Sequence, residues 1–344
     1  MEKSKRYIYM DFLKLIASFA VVTLHSSGGN FSFVHIYPSL IVTILVQVIF
    51  CVGVPIFFME SGATILSYRQ RYGTKVYVNK RIKKVVIPFV FWSCFGYVYL
   101  LLFHQISNYS VSDFVYRFLF GEIVAPYWFF YNLIGFYICA PFLSKIMLKK
   151  NKNLILYIIL VSIFIKALLP SIFTFMSMPI PGFISSVPMM GEYLEYFILG
   201  WYINQFDISS KNEKLLLICG VTSLCITIVA TPIVSIHVGY IYKPIYDIAN
   251  IFTVMIMINI FVLSKKIDNI QFFNKYKKII QKISGLTFGV YLIHPFLLEI
   301  VNRFNSLEQT GVPHIIVTPF VVFVLSMSIT WLLKKIPLIN YILP

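Results

Sequence analysis

Ten apolar runs, at about 8–27, 40–66, 85–104, 126–147, 154–174, 189–205, 215–236, 245–264, 284–303 and 314–333, take up most of this chain. A helix needs about 20 apolar residues to cross a bilayer, and these runs are of that order. Isolated strands are excluded, because a segment in lipid must satisfy its own backbone groups. The expected fold is therefore all-α, a polytopic membrane bundle of ten transmembrane helices. It is read as one domain over residues 1–344.

Composition supports this choice. Of the 344 residues 59% are hydrophobic and 12% charged, against about 25% charged in an average soluble domain. A soluble enzyme cannot cover so much apolar surface, and a disordered tail lacks it altogether. The net charge of +16 raises the question of a nucleic-acid partner. Sorting the basic residues removes it. With the N-terminus inside, the cytoplasmic segments hold 24 of the 29 Lys and Arg residues and the outer segments 3. Cytoplasmic loops collect such charges, so both termini are placed in the cytoplasm. The partner this implies is the lipid bilayer, not nucleic acid. The first run is read as a retained span and not a cleaved leader. The five cysteines lie in apolar runs without a C-x-x-C pair, so they are read as packing residues, and no metal site is expected.

Two basic residues, Lys14 and Lys166, stay inside spans. A charge at the centre of a span costs about 2.5–3.5 kcal/mol on insertion scales, so it needs a partner or a role. Lys14 and His25 are 11 residues apart, which on a helix is about 20° from whole turns and about 16 Å along the axis. They share one face. Asp11 sits one turn below Lys14, at a spacing that allows an ion pair. Other polar residues in spans are Glu60, Glu192, Glu195, Asp247, His294 and Glu299. Glu192, Glu195, Asp247 and Glu299 are placed toward the outer half, lining a polar cavity or solvated at the interface. His35, His104, His237 and His314 fall at outer span ends. The segment from Tyr68 to Lys84 is the densest basic loop. It is either orientation charge or a phosphate-binding platform.

Several fragments, in order, resemble the acyltransferase-3 family, the integral-membrane O-acyltransferases of bacterial surface glycans. Tyr9-Met10-Asp11-Phe12-Leu13-Lys14, followed by ten residues and His25, resembles its opening motif. Phe57-Phe58-Met59-Glu60-Ser61-Gly62 is similar to its "FFFLSG" run. Lys80-Arg81-Ile82-Lys83-Lys84 before Pro88 is similar to its basic loop. Tyr127-Trp128-Phe129-Phe130 with Pro141 resembles its fourth-span pattern, and Tyr196-Phe197-Ile198-Leu199-Gly200 its sixth. Thr287-Phe288-Gly289-Val290-Tyr291-Leu292-Ile293-His294-Pro295 resembles its late "YGIYLIH" segment. The chain departs where Lys14 and Lys84 stand for the usual Arg. Glu60 occupies an apolar position and has no role in the pattern.

The resemblance implies an acyltransferase in the bacterial cytoplasmic membrane. Its donor is a cytoplasmic acyl-CoA, usually acetyl-CoA, used as co-substrate with no bound cofactor. Its acceptor is a hydroxyl of a surface glycan or its lipid-linked precursor. His25 is then the catalytic residue, as general base or as acyl carrier. Lys14, Arg81 and Lys84 hold the donor. Asp11, His294, Trp128, Glu192 and Glu195 are supporting or acceptor-binding. Two other readings stay open on the residues alone. One is a transporter or flippase of a lipid-linked glycan. The other is a scaffold in which the buried charges are dispensable.

Overall fold

A computed structural model describes residues 6–27, 38–103, 105–106, 109–186 and 191–344. His35 and His104 lie outside the described residues. The described residues form helices and loops, without a β-strand, as the apolar pattern predicts. In chain order the helices are α1 (Ile8–Ser26), α2 (Pro38–Phe50), α3 (Gly53–Ile65), α4 (Thr74–Arg81), α5 (Ile87–Leu102), α6 (Val111–Phe120), α7 (Trp128–Ile146), α8 (Lys152–Ile163) and α9 (Leu169–Phe175). They continue as α10 (Phe183–Ser186), α11 (Leu194–Gln205), α12 (Ser210–Val238), α13 (Ile251–Ser264), α14 (Gln271–Lys275), α15 (Lys277–Ser284), α16 (Thr287–Phe304) and α17 (Val312–Leu333).

Among the described residues, 7 helical stretches are long and apolar enough to cross a membrane, or 8 if α15 and α16, bent by 48°, form one broken span. The expected sixth and eighth spans are shorter. α11 has 12 residues and α13 has 14, about 18 and 21 Å of rise against about 30 Å of hydrocarbon. The reason is position. α11 is buried from Leu194 to Trp201, so protein rather than lipid sets its length. The outward apolar surface is carried by α12 and α17, where Ile218, Val229, Ile233, Phe320 and Val324 are exposed. Such side chains suit lipid.

α1 runs through the middle of the bundle, packed against α2, α3, α13, α15, α16 and α17. Beside it, α3 and α11 are in backbone contact. A Cβ at Gly62 would fall 1.6 Å from the Phe197 carbonyl oxygen, and one at Gly200 would fall 1.8 Å from that of Met59. Each glycine admits the other helix, a packing device common in membranes. Both belong to fragments that resemble the family, and here each has a packing role.

Prolines shape the rest. Each lacks an N–H and clashes with the carbonyl four residues back. Pro88 displaces the Lys84 carbonyl and Pro170 that of Lys166. Both places widen into π turns, Ile82–Val86 and Phe164–Leu168, as expected of an interrupted ladder. Pro141 frees the Tyr137 carbonyl, which accepts the Tyr77 hydroxyl at 3.0 Å. That bond ties α4 to α7.

Candidate active site

The start of α1, the end of α3, α4 with its π turn, the end of α11 and the α15–α16 junction meet at one end of the bundle. All but the α15–α16 junction, which lines the inner cavity described next, enclose a cavity of about 820 Å³. Six cations line it, Arg6, Lys14, Arg71, Lys80, Arg81 and Lys84, with Asp11 as the one carboxylate among the described lining residues. A second cavity of about 320 Å³ continues inward. The two share Arg6, Asp11, Lys14, Thr64, Arg81 and Lys84. Beyond this neck the walls are Phe57, Phe129, Phe130, Leu133, Tyr137, Phe288 and Tyr291, with Glu60 among them. A cationic vestibule thus opens into an aromatic passage.

Asp11 organises the neck. It is 1% exposed. Arg6 grips it with two hydrogen bonds, Nε to Oδ2 and Nη2 to Oδ1, each 2.7 Å. The Ser284 hydroxyl donates to Oδ1 at 2.6 Å. Arg6 Nη2 also reaches the Gln281 carbonyl at 3.1 Å, so one ion pair joins the chain before α1 to α15. The hydrogen bond to Asp11 holds the Arg6 guanidinium above its ordinary pKa, fixing the cation. Lys14 lies looser, its Nζ 3.9 Å from Asp11 Oδ1. The expected Asp11–Lys14 pair is therefore secondary, and Lys14 keeps its donors for the cavity. Arg81 lies against the Tyr77 and Tyr137 rings, 5.9 and 5.5 Å from their centroids. Its buried Nε has no hydrogen-bond partner among the described residues.

At the inner end of the passage Tyr291 takes over. Its ring is 5.7 Å from that of His294, which is 5.5 Å from that of His25. The motif sequence explains how His294 is held. Pro295 leaves the Tyr291 carbonyl without its helical amide, and His294 Nδ1 meets that oxygen at 2.8 Å and the Val290 carbonyl at 3.1 Å. Carbonyls only accept, so Nδ1 carries the proton and Nε2 the lone pair. His294 is 0% exposed and its Nε2 has no partner among the described residues. His25, by contrast, keeps an exposed side chain. The order along the molecule is cationic vestibule, aromatic passage, buried imidazole, accessible imidazole.

A family model described as an acyltransferase domain matches residues 7–334. The chain belongs to the acyltransferase-3 family. No curated protein and no solved structure matches it. Family membership makes this membrane protein an acyltransferase, which sets aside the readings as transporter and as inert scaffold.

Within this acyltransferase the residues singled out from the sequence fall into two groups and a remainder. Asp11, Lys14, Arg81 and Lys84 share the neck. His25 and His294 are neighbours. Trp128 instead packs against Tyr193, with centroids 5.9 Å apart. Glu192 is exposed, and Glu195 is 1% exposed with both carboxylate oxygens unpartnered among the described residues. None of these three lines either cavity. Nor do Asp247, close to Lys243 at 3.9 Å, and Glu299, paired with Arg303 at 2.7 Å. Lys166 donates to the Ile184 carbonyl at 3.2 Å. Sequence reasoning passed over two cavity residues. Arg6 was counted only as an orientation charge, though it stands five residues before a buried aspartate. Glu60 had no role, though a carboxylate in an apolar span is itself a signal.

Proposed function

We propose that this acyltransferase moves an acyl group, acetyl above all, from cytoplasmic acyl-CoA to a hydroxyl of a cell-surface glycan or its lipid-linked precursor. It sits in the bacterial cytoplasmic membrane as a bundle of ten spans, α11 and α13 included, with both termini in the cytoplasm. The observation that carries this reading is the run from six cations, through an aromatic-walled cavity, to Tyr291, whose ring lies 5.7 Å from that of His294. Arg and Lys suit phosphates by charge-assisted hydrogen bonds, and the vestibule lies on the face that collects positive charge. The aromatic passage suits the slender pantetheine arm. Lys14 and His25 are about 16 Å apart along α1, a span that such an arm covers.

At the histidines the reaction is a single transfer. His25 takes the proton of the acceptor hydroxyl as its oxygen attacks the thioester carbonyl. The C–S bond breaks, and the thiolate leaves and takes up a proton. A neutral imidazole can do this near pH 7. His294, its Nδ1–H committed to backbone, turns an Nε2 lone pair, unpartnered among the described residues, to a site 5.5 Å, ring to ring, from His25. A small approach of the two rings on substrate binding would let it accept a His25 N–H and leave the other His25 nitrogen as the base.

The test is purified protein with radiolabelled acetyl-CoA and membrane-extracted glycan acceptor. Label should pass to the glycan with release of CoA. Absence of transfer from any acyl-CoA, with folded protein, would overturn the reading.

A further inference from the structure

We propose that Glu60 reads the pantetheine arm of the donor, accepting a hydrogen bond from one of its N–H or O–H groups as the arm passes the neck. This rests on the acyl-CoA reading above. Glu60 is 3% exposed and stands in the wall of the inner cavity, beyond the cationic vestibule. Its side chain makes no hydrogen bond among the described residues, and its buried Oε1 is without a partner. The charged groups within electrostatic reach are Lys14 and Asp11. Asp11 is saturated by Arg6 and Ser284; Glu60 is not.

A buried acceptor left unmade is unfavourable, and no described wall group meets Glu60 Oε1: Lys14 acts on it only at longer range, its ammonium lying toward Asp11. Phe57, Phe129 and Leu133 cannot donate, and the Tyr137 hydroxyl is engaged with Ser61 at 3.1 Å. The missing donor therefore belongs to whatever enters. A phosphate does not fill that role, because its ionised oxygens accept and do not donate. A chain of amides and a hydroxyl, lying just inside a phosphate-binding mouth, supplies neutral donors at the right depth. On α3 itself the neighbours Met59 and Ile56 are wholly buried and apolar, while Thr64 bonds back to the helix carbonyls of Glu60 and Ser61. The carboxylate thus stands unpartnered, among the described residues, at the step from the charged neck to the aromatic walls.

The experiment uses the full chain in lipid nanodiscs and two probes. One is CoA. The other is 3′-phosphoadenosine 5′-diphosphate, which keeps every phosphate and lacks the arm. The readout is the ratio of their dissociation constants, because removing an anion near the mouth shifts both probes alike. Glu60→Ala should reduce the preference for CoA about tenfold, the effect of one hydrogen bond to a charged group. Glu60→Gln, which still accepts, should keep most of it. An unchanged ratio in Glu60→Ala, with both probes bound, overturns the role of Glu60 and leaves the donor reading intact. If the unmodified protein binds neither probe, the donor reading itself fails.

Discussion

His294 Nδ1 lies 2.8 Å from the Tyr291 carbonyl, the oxygen that Pro295 deprives of its amide. A helix defect has become the anchor of an imidazole. Replacing the proline by alanine returns an N–H to that carbonyl and makes it compete with His294. Pro295→Ala should lower kcat about tenfold, or ~1.4 kcal/mol of barrier, with little change in KM for the donor. Steady-state kinetics on purified protein decides it; an unchanged kcat would remove His294 orientation from the mechanism.

His25→Ala should remove the base. General-base losses run to about 10²–10⁴-fold, so surface-glycan esters should vanish from mass spectra of a strain carrying only this variant. Equal protein in the membrane is the control. Normal esterification at that level sinks the assignment of His25.

The neck predicts a salt effect. Six cations face one carboxylate in the vestibule, and ionic screening weakens such fields over about 8–10 Å. KM for acyl-CoA should rise with added salt. Lys14→Ala should raise it about tenfold, whereas Lys14→Arg, which adds a fork of donors, should hold it level or lower it. A salt-independent KM would mean the donor does not enter here.

Arg6→Ala strands the Asp11 carboxylate, 1% exposed, with Ser284 and a distant Lys14. Breaking a buried pair costs about 3–5 kcal/mol. Arg6 is itself 53% exposed, so about 2 kcal/mol is expected. Thermal unfolding in detergent should show a clear loss, largely restored by the added Asp11→Asn. No recovery in the double variant would place the damage elsewhere.

Gly62→Ala and Gly200→Ala drive a methyl into the facing backbone, at 1.6 and 1.8 Å. Backbone yields less than a side chain, so each should cost about 1–3 kcal/mol or more. Membrane yield and melting temperature report it, and the donor-binding ratio described for Glu60 should not move in the protein that does fold.

Much of this was readable beforehand, for physical reasons. The spans were legible because apolar length is dictated by lipid. That rule lapses for α11 and α13, which protein encloses, and there the expected lengths were too great. The Lys14–His25 stripe was legible because helical spacing is arithmetic. The Arg6–Asp11 grip was not, since the arginine precedes the helix and no periodicity governs it. Nor was Glu192 apart from the passage foreseeable, because which wall a residue lines depends on how distant helices pack. The six cations could be counted from the chain but not gathered, as they come from the segment before α1, α1 itself, the loop after α3, α4 and a π turn.

The aromatic passage has a consequence for the cell. On the donor reading proposed above, an enzyme that draws a cytoplasmic reagent into a membrane bundle opens a potential short circuit. Between the cationic mouth and His25 stand Phe57, Phe129 and Tyr291, with centroids of Phe57 and Phe129 each within about 6 Å of Tyr291 (6.1 and 5.3 Å), and a His294 wholly shut from solvent. Hydrated ions find little coordination among these rings. If the donor is the acyl-CoA proposed above, the bundle would admit its thin arm and stay an insulator, so that acyl transfer across it would not discharge the membrane.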